Sequence, residues 1–200
     1  FIVFQLLAAC RFTIYLSLIA FVGGGAVACL VTLLRISNVP SLQKFATSFI
    51  WIFQSIPLLM LLFLIGLGMP RLLDVNVDPW TAATISLVLF TAAYLAEVWR
   101  GAIESVARGQ WEASYALNIR YSLLLRDIIL PQAIKFGVAP TVGFMVQIIK
   151  GTSLAYIIGF NDLMLVGKRW ANAPVLGSEP FLIFPLMAVM YFCICYPLAL

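Results

Sequence analysis

The chain contains no histidine, and that absence closes several routes to function. Without an imidazole there is no Ser-His-Asp triad and no HExxH zinc site. Charge is scarce as well: 10% of the residues are charged, against about 25% in an ordinary soluble domain. No GxxxxGK[ST] sequence occurs, so the chain itself is not expected to bind ATP. The four cysteines, Cys10, Cys29, Cys193 and Cys195, all lie in apolar segments. They form neither a disulfide framework nor a metal-ligand pattern, and the last two, two residues apart, fall on different faces of a helix. No activated serine stands beside a plausible base and no single apolar run holds two aspartates, so an enzyme or assembly factor finds no catalytic constellation here. No cofactor is expected on this chain.

What remains is hydrocarbon. Hydrophobic residues make up 64% of the sequence, and the mean hydropathy is +1.07. That much apolar side chain exceeds what one aqueous core of 200 residues can bury, and lipid is the remaining solvent. A spanning helix needs about 20 mainly apolar residues. Five candidate spans can be read, at 12–34, 45–67, 80–98, 136–158 and 181–200. The expected fold is all-α, a single polytopic membrane domain over 1–200. Helices are required because lipid offers no partner to an unpaired backbone group. The first span carries Gly23-Gly24-Gly25, small residues that allow close packing. The second contains Pro57, and the last contains Pro185 and Pro197. The stretches 68–79 and 167–180 read as loops.

The net charge of +4 does not point to nucleic acid, because the basic residues are scattered between apolar runs. They are biased to one side instead. Arg35, Lys44, Arg100, Arg108, Arg120, Arg126 and Lys135 fall on one face of a five-span topology, and Arg71, Lys168 and Arg169 on the other, with Arg11 near the start of the first span. The positive-inside rule then places the N-terminus outside and the C-terminus in the cytoplasm. The chain starts at Phe1 and stops at Leu200 within an apolar run, so the expectation is a sequence trimmed at both ends. No cleavable signal peptide is recognisable.

One segment breaks the hydrocarbon pattern. From about 100 to 135 the sequence becomes amphipathic, with Trp111, Tyr115 and Leu117 alternating with Arg108, Glu112 and Ser114. Arg108 and Glu112 are four apart and share a helix face. Asn118 tolerates the left-handed conformation that ends helices. A second stretch, 121–129, follows, and Pro131 is expected to stop it. A helix–turn–helix lying along the membrane surface is the reading, with an ordinary interfacial linker as the alternative.

The spacing Glu112-Ala113-Ser114, Asn118, Ile128, Leu130-Pro131 resembles the EAA loop of ABC importer permeases, with Ser for the second Ala and Asn for the Gly. The run 93–101 (AYLAEVWRG), the 109–113 and 130–133 segments, Lys150-Gly151-Thr152-Ser153-Leu154, and Phe53 with Pro57 resemble the polar amino-acid branch of that family. The resemblance covers about the whole chain. It implies a type I importer in the bacterial cytoplasmic (inner) membrane. This chain would be one permease subunit, paired with a copy of itself or a similar partner, on two ATPase subunits that bind ATP and Mg. An extracytoplasmic binding protein would deliver the amino acid. It also implies that Arg108, Glu112, Ala113, Ser114, Asn118, Arg120 and Pro131 lie at or beside the ATPase contact.

Charge within a span costs roughly 2.5–3.5 kcal/mol on insertion scales and marks candidate function. Lys150, before Gly151 and the polar pair Thr152-Ser153, is the leading candidate for lining a translocation path, since a helix break at Gly151 frees backbone groups to meet a ligand. Gln147 shares its face, and Gln54 and Ser55 stand beside Pro57. Glu97 is either a site for a substrate ammonium or a local partner of Arg100; a structural pair with Lys150 is a further alternative. A transporter or channel working without an ATPase is the competing function. The missing inverted repeat and the shortage of intramembrane carboxylates speak against it.

Overall fold

A computed structural model describes residues 1–175 and 177–199. Among them every regular element is helical, and the order follows the hydropathy. Helix α1 runs Ile2–Arg35 and α2 Pro40–Ser55. α3, Leu58–Phe63, passes through a π-helical turn, Leu64–Gly68, into α4, Met69–Leu73. α5 spans Pro79–Glu104, α6 Arg108–Ala116 and α7 Tyr121–Leu123. A second π-helical turn, Leu124–Ile129, leads into α8, Leu130–Thr152. A 3-10 segment, Ser153–Ile158, precedes α9, Leu163–Ala171, and α10, Pro180–Ala199, closes the described chain. Among the described residues four helical stretches are long and apolar enough to cross a membrane, and the bent pair Pro40–Ser55 with Leu58–Leu73 is a fifth when taken as one broken span.

α5 is the centre of the bundle. It packs along both α1 and α8, with α2 and α3 against it as well. The approach to α1 is close. A Cβ added at Gly24 would meet Thr91 Cβ at 2.5 Å, with the Val88 carbonyl 3.1 Å away, so this position requires glycine for packing. Around that seam lies the main core, with Leu16, Ala20, Leu61, Leu62, Leu87, Leu95 and Ile148. A second cluster joins Leu6 of α1 to Leu163 of α9 and to Ile183 and Met187 of α10. Asp78 caps the start of α5: its carboxylate accepts from the Thr81 hydroxyl at 2.6 Å and the Thr81 N–H at 3.1 Å. Those bonds, the hydroxyl first, hold the exposed Asp78 carboxyl below its ordinary range.

Several expectations need correction. The helix that carries the first span, 12–34, begins earlier, at Ile2. The 68–79 stretch is not all loop, because α4 continues to Leu73 and stops where Asp74 turns left-handed at φ 52. The 167–180 stretch is helical as far as Ala171, since the Asp162 carboxylate caps α9 by accepting from the Leu165 N–H at 2.8 Å. Pro131 stops nothing. The helix runs on through the π-helical turn Leu124–Ile129 into α8, and that local widening accommodates Pro131, which has no N–H to give to the preceding turn. Pro57 does more than kink its span: α2 and the following helix are bent by 96°.

Candidate functional site: a surface elbow and a break in the bundle

The first part of the site is the elbow formed by α6 and the turn after it. α6 ends in a Schellman arrangement: Asn118 is left-handed at φ 54, its N–H donates to the Tyr115 carbonyl, and the Ile119 N–H donates to the Ser114 carbonyl, each at 3.0 Å. Those bonds satisfy carbonyls that the helix end leaves free. Ser114 is buried, its hydroxyl donating to the Gln110 carbonyl at 2.7 Å. Glu112, Ala113, Tyr115 and Leu117 are exposed, Leu117 at 74%. An amphipathic helix that turns apolar side chains outward at a polar surface lacks its partner. Arg108, Arg120 and Pro131 are exposed beside it. Arg108 and Glu112 share a face, yet no ion pair joins them among the described residues.

Beneath, the elbow is anchored. Ile103, Val106, Leu124, Ile129 and Ala133 form a small core, with Trp111, Ile119 and Tyr121 packed on it. The Tyr121 hydroxyl donates to the Ile36 carbonyl at 2.8 Å, across 85 residues of sequence. The elbow is thereby fixed to the ends of α1 and α5 and to the start of α8. Arg100 pairs with both Glu97 and Glu104 on its own helix, its Nε donating to Glu97 Oε2 at 2.9 Å.

The second part lies at the other end of α8. There the helix gives way to the 3-10 segment at Ser153, and a Cβ on Gly151 would stand 3.1 Å from Leu58, the first residue after the break in the second span. Two interrupted helices therefore meet at this level. Lys150 and Gln147 are both exposed on one face of α8, and Ser55 is exposed at the end of α2. Lys150 has no carboxylate partner among the described residues. Gln54 is half-buried, its amide donating to the Ala93 carbonyl at 3.3 Å. Thr152 is buried, with its hydroxyl on the Ile149 carbonyl, and the Ser153 hydroxyl donates to the Lys150 carbonyl at 2.6 Å.

Glu97 does not join this group. Its neighbour Trp99 bonds Thr141 at 3.0 Å, nine residues before Lys150, which on a helix is about 13 Å. Its carboxylate is held by Arg100, as the local alternative expected. One polar group escaped the sequence reading. Asp162 is fully buried, with one carboxylate oxygen on the Leu165 N–H, and Thr13 Oγ1 accepts from the Leu163 N–H at 3.2 Å. An aspartate directly before an apolar helical run is an N-cap signature that could have revealed it.

Long apolar helices, a polar elbow and a broken-helix face define a membrane transport permease. The chain belongs to the family of binding-protein-dependent transport system inner membrane components, whose description matches residues 20–200. It is 32% identical to the "Probable amino-acid ABC transporter permease protein YckA" of Bacillus subtilis (strain 168), over 92% of this chain and 80% of that one. The L-cystine transport system permease protein TcyB of the same organism is also 32% identical, over 94% and 80%. An amino acid ABC transporter crystal structure superposes with a TM-score of 0.90 at 25% identity, covering 98% of this chain and 89% of that one. The chain is thus a transmembrane permease subunit of the ABC importer class, and the ATPase-independent alternative gains no support.

Proposed function

We propose that this chain lines the translocation path of an ATP-driven importer of polar amino acids and takes its power stroke at the elbow. The observation that carries the proposal is the elbow itself: a capped helix presenting Glu112, Ala113, Tyr115 and Leu117 outward over a base bonded to α1, α5 and α8. The partner is an ATPase subunit, on which ATP and Mg bind. A second permease, identical or similar, completes the path, and an extracytoplasmic binding protein supplies the cargo. The elbow faces the cytoplasm, with the N-terminus outside, as the basic residues favour. The chain carries no chemistry of its own. Nucleotide state favours one of two arrangements of the helices through its unequal affinity for them.

Lys150, Gln147, Ser55 and Ser153 face the path beside the Pro57 break. The lysine ammonium meets the cargo's carboxylate, and free backbone groups at the two helix breaks meet its polar ends. Relatives that move amino acids, and the Lys150-Gly151-Thr152-Ser153 run, support that cargo class.

The test is reconstitution with ATPase and binding protein in proteoliposomes. Glu112→Arg is expected to cut cargo-stimulated ATP turnover and uptake roughly 30-fold, the scale of an interface hot spot, while the permease stays folded. Normal turnover and uptake in that variant would refute the docking assignment.

A further inference from the structure

One cavity lies away from the helix break, beside the base of the elbow. It is a groove of about 490 Å³ between the end of α1, the end of α5 and the first half of α8, lined by Cys29, Leu33, Trp99, Ile134, Val138 and Val142 among others. Its walls are almost wholly carbon. The two hydroxyls and the indole that border it are already engaged: Thr32 donates to the Ala28 carbonyl at 2.8 Å, and Trp99 donates to Thr141. An occupant with hydrogen-bonding groups along its length would find no partner there.

From these features we infer that the groove holds one acyl chain of an anionic phospholipid, in the leaflet on the elbow's side. A charge beside the wall selects the headgroup. Lys135 is exposed, directly follows Ile134 of the wall in sequence, and has no ion-pair partner among the described residues. Basic side chains at the membrane surface between helices attract phosphate headgroups, and a lysine stem reaches that level while its ammonium stays hydrated. A second protein chain seated on the same edge would have to bring a carboxylate to Lys135 or bury it at the cost that intramembrane charge carries. The groove also touches Ile36, Ile103 and Leu130, the residues from which the elbow springs, so a seated lipid packs beneath the lever. The leaflet is defined by the elbow, so the inference holds whichever way the chain is oriented.

The test uses the full chain, with whatever subunits accompany it, in phosphatidylcholine vesicles. Bromine on the acyl chain quenches tryptophan at contact, and Trp99 reports on the groove when its signal is taken as the difference from Trp99→Phe. At equal mole fraction, brominated phosphatidylglycerol is expected to quench Trp99 with an apparent affinity about fivefold above brominated phosphatidylcholine, the factor one basic side chain supplies. Lys135→Gln should remove that preference, and Val138→Phe, which fills the groove from its exposed edge, should reduce quenching by both lipids. Equal quenching by the two lipids overturns the anionic assignment. A Trp99 that neither lipid quenches means that protein covers the groove, and the proposal fails. Loss of ATPase docking would alter none of these readings, so the two proposals fail separately.

Discussion

The elbow and the helix break lie at the two ends of α8, a rod of about 34 Å by helix geometry, and they are built on opposite principles. The elbow is orderly backbone with unpartnered side chains: α6 ends in a closed turn at Asn118, Trp111 packs on the base, and Tyr115 and Leu117 are left exposed. The break is the reverse. There the helices themselves are interrupted, at Pro57 in one span and after Gly151 in another, with Lys150, Gln147, Ser55 and Ser153 around the gap. A surface that receives force needs rigidity beneath it. A path that must open and close needs backbone that can part, and only a site lined by protein or water tolerates that within a membrane.

The sharpest way to break this comparison is at the cargo end. Lys150→Glu sets like charge against a carboxylate in a low-dielectric path, and uptake should fall on the order of 100-fold by the cost of an intramembrane charge conflict. Basal ATPase activity should stay intact, as the elbow is untouched; vesicle uptake alongside ATP turnover checks it. Glu112→Arg should weaken ATPase association roughly 30-fold, the scale of an interface hot spot, measurable by pull-down in detergent. Gly24→Leu attacks neither end but the seam that joins α1 to α5. Overpacking there should cost about 1–3 kcal/mol, seen as a lower thermal unfolding midpoint. Tyr121→Phe removes the hydroxyl from the Ile36 carbonyl and should cost about 1 kcal/mol, loosening the elbow and lowering coupling efficiency. The smallest effect belongs to Asn118. Gly at 118 should be neutral and Ala should cost about 1 kcal/mol in the same melt, because only the former tolerates φ 54 freely.

These two regions also differed in what the sequence disclosed. The elbow was legible nearly residue by residue. Spacing from Glu112 to Pro131 pointed to it, and Asn118 adopts the left-handed turn its residue type allows. Pro131 misled because a proline inside a helix need not stop it where a π-helical turn absorbs the missing bond, and one precedes it here. At the break, proline and glycine marked the places where helices end, but not that the ends meet. Glu97 stood open between a local pair with Arg100, a substrate site and a pair with Lys150; the Arg100 bonds select the first, and the Trp99–Thr141 bond sets the depths of α5 and α8 that keep it from Lys150. Asp162 was hidden for a related reason: its burial is created by Thr13 and α10, far away in sequence.

The central claim is that the elbow lies on the cytoplasmic face and meets the ATPase. Leu117→Cys, read against the unmodified chain with a membrane-impermeant thiol reagent, tests it most directly. Labelling should occur in inside-out vesicles, be absent in right-side-out vesicles, and be blocked when the ATPase subunit is bound. Labelling from the outside, or labelling that the ATPase leaves unchanged, would contradict it.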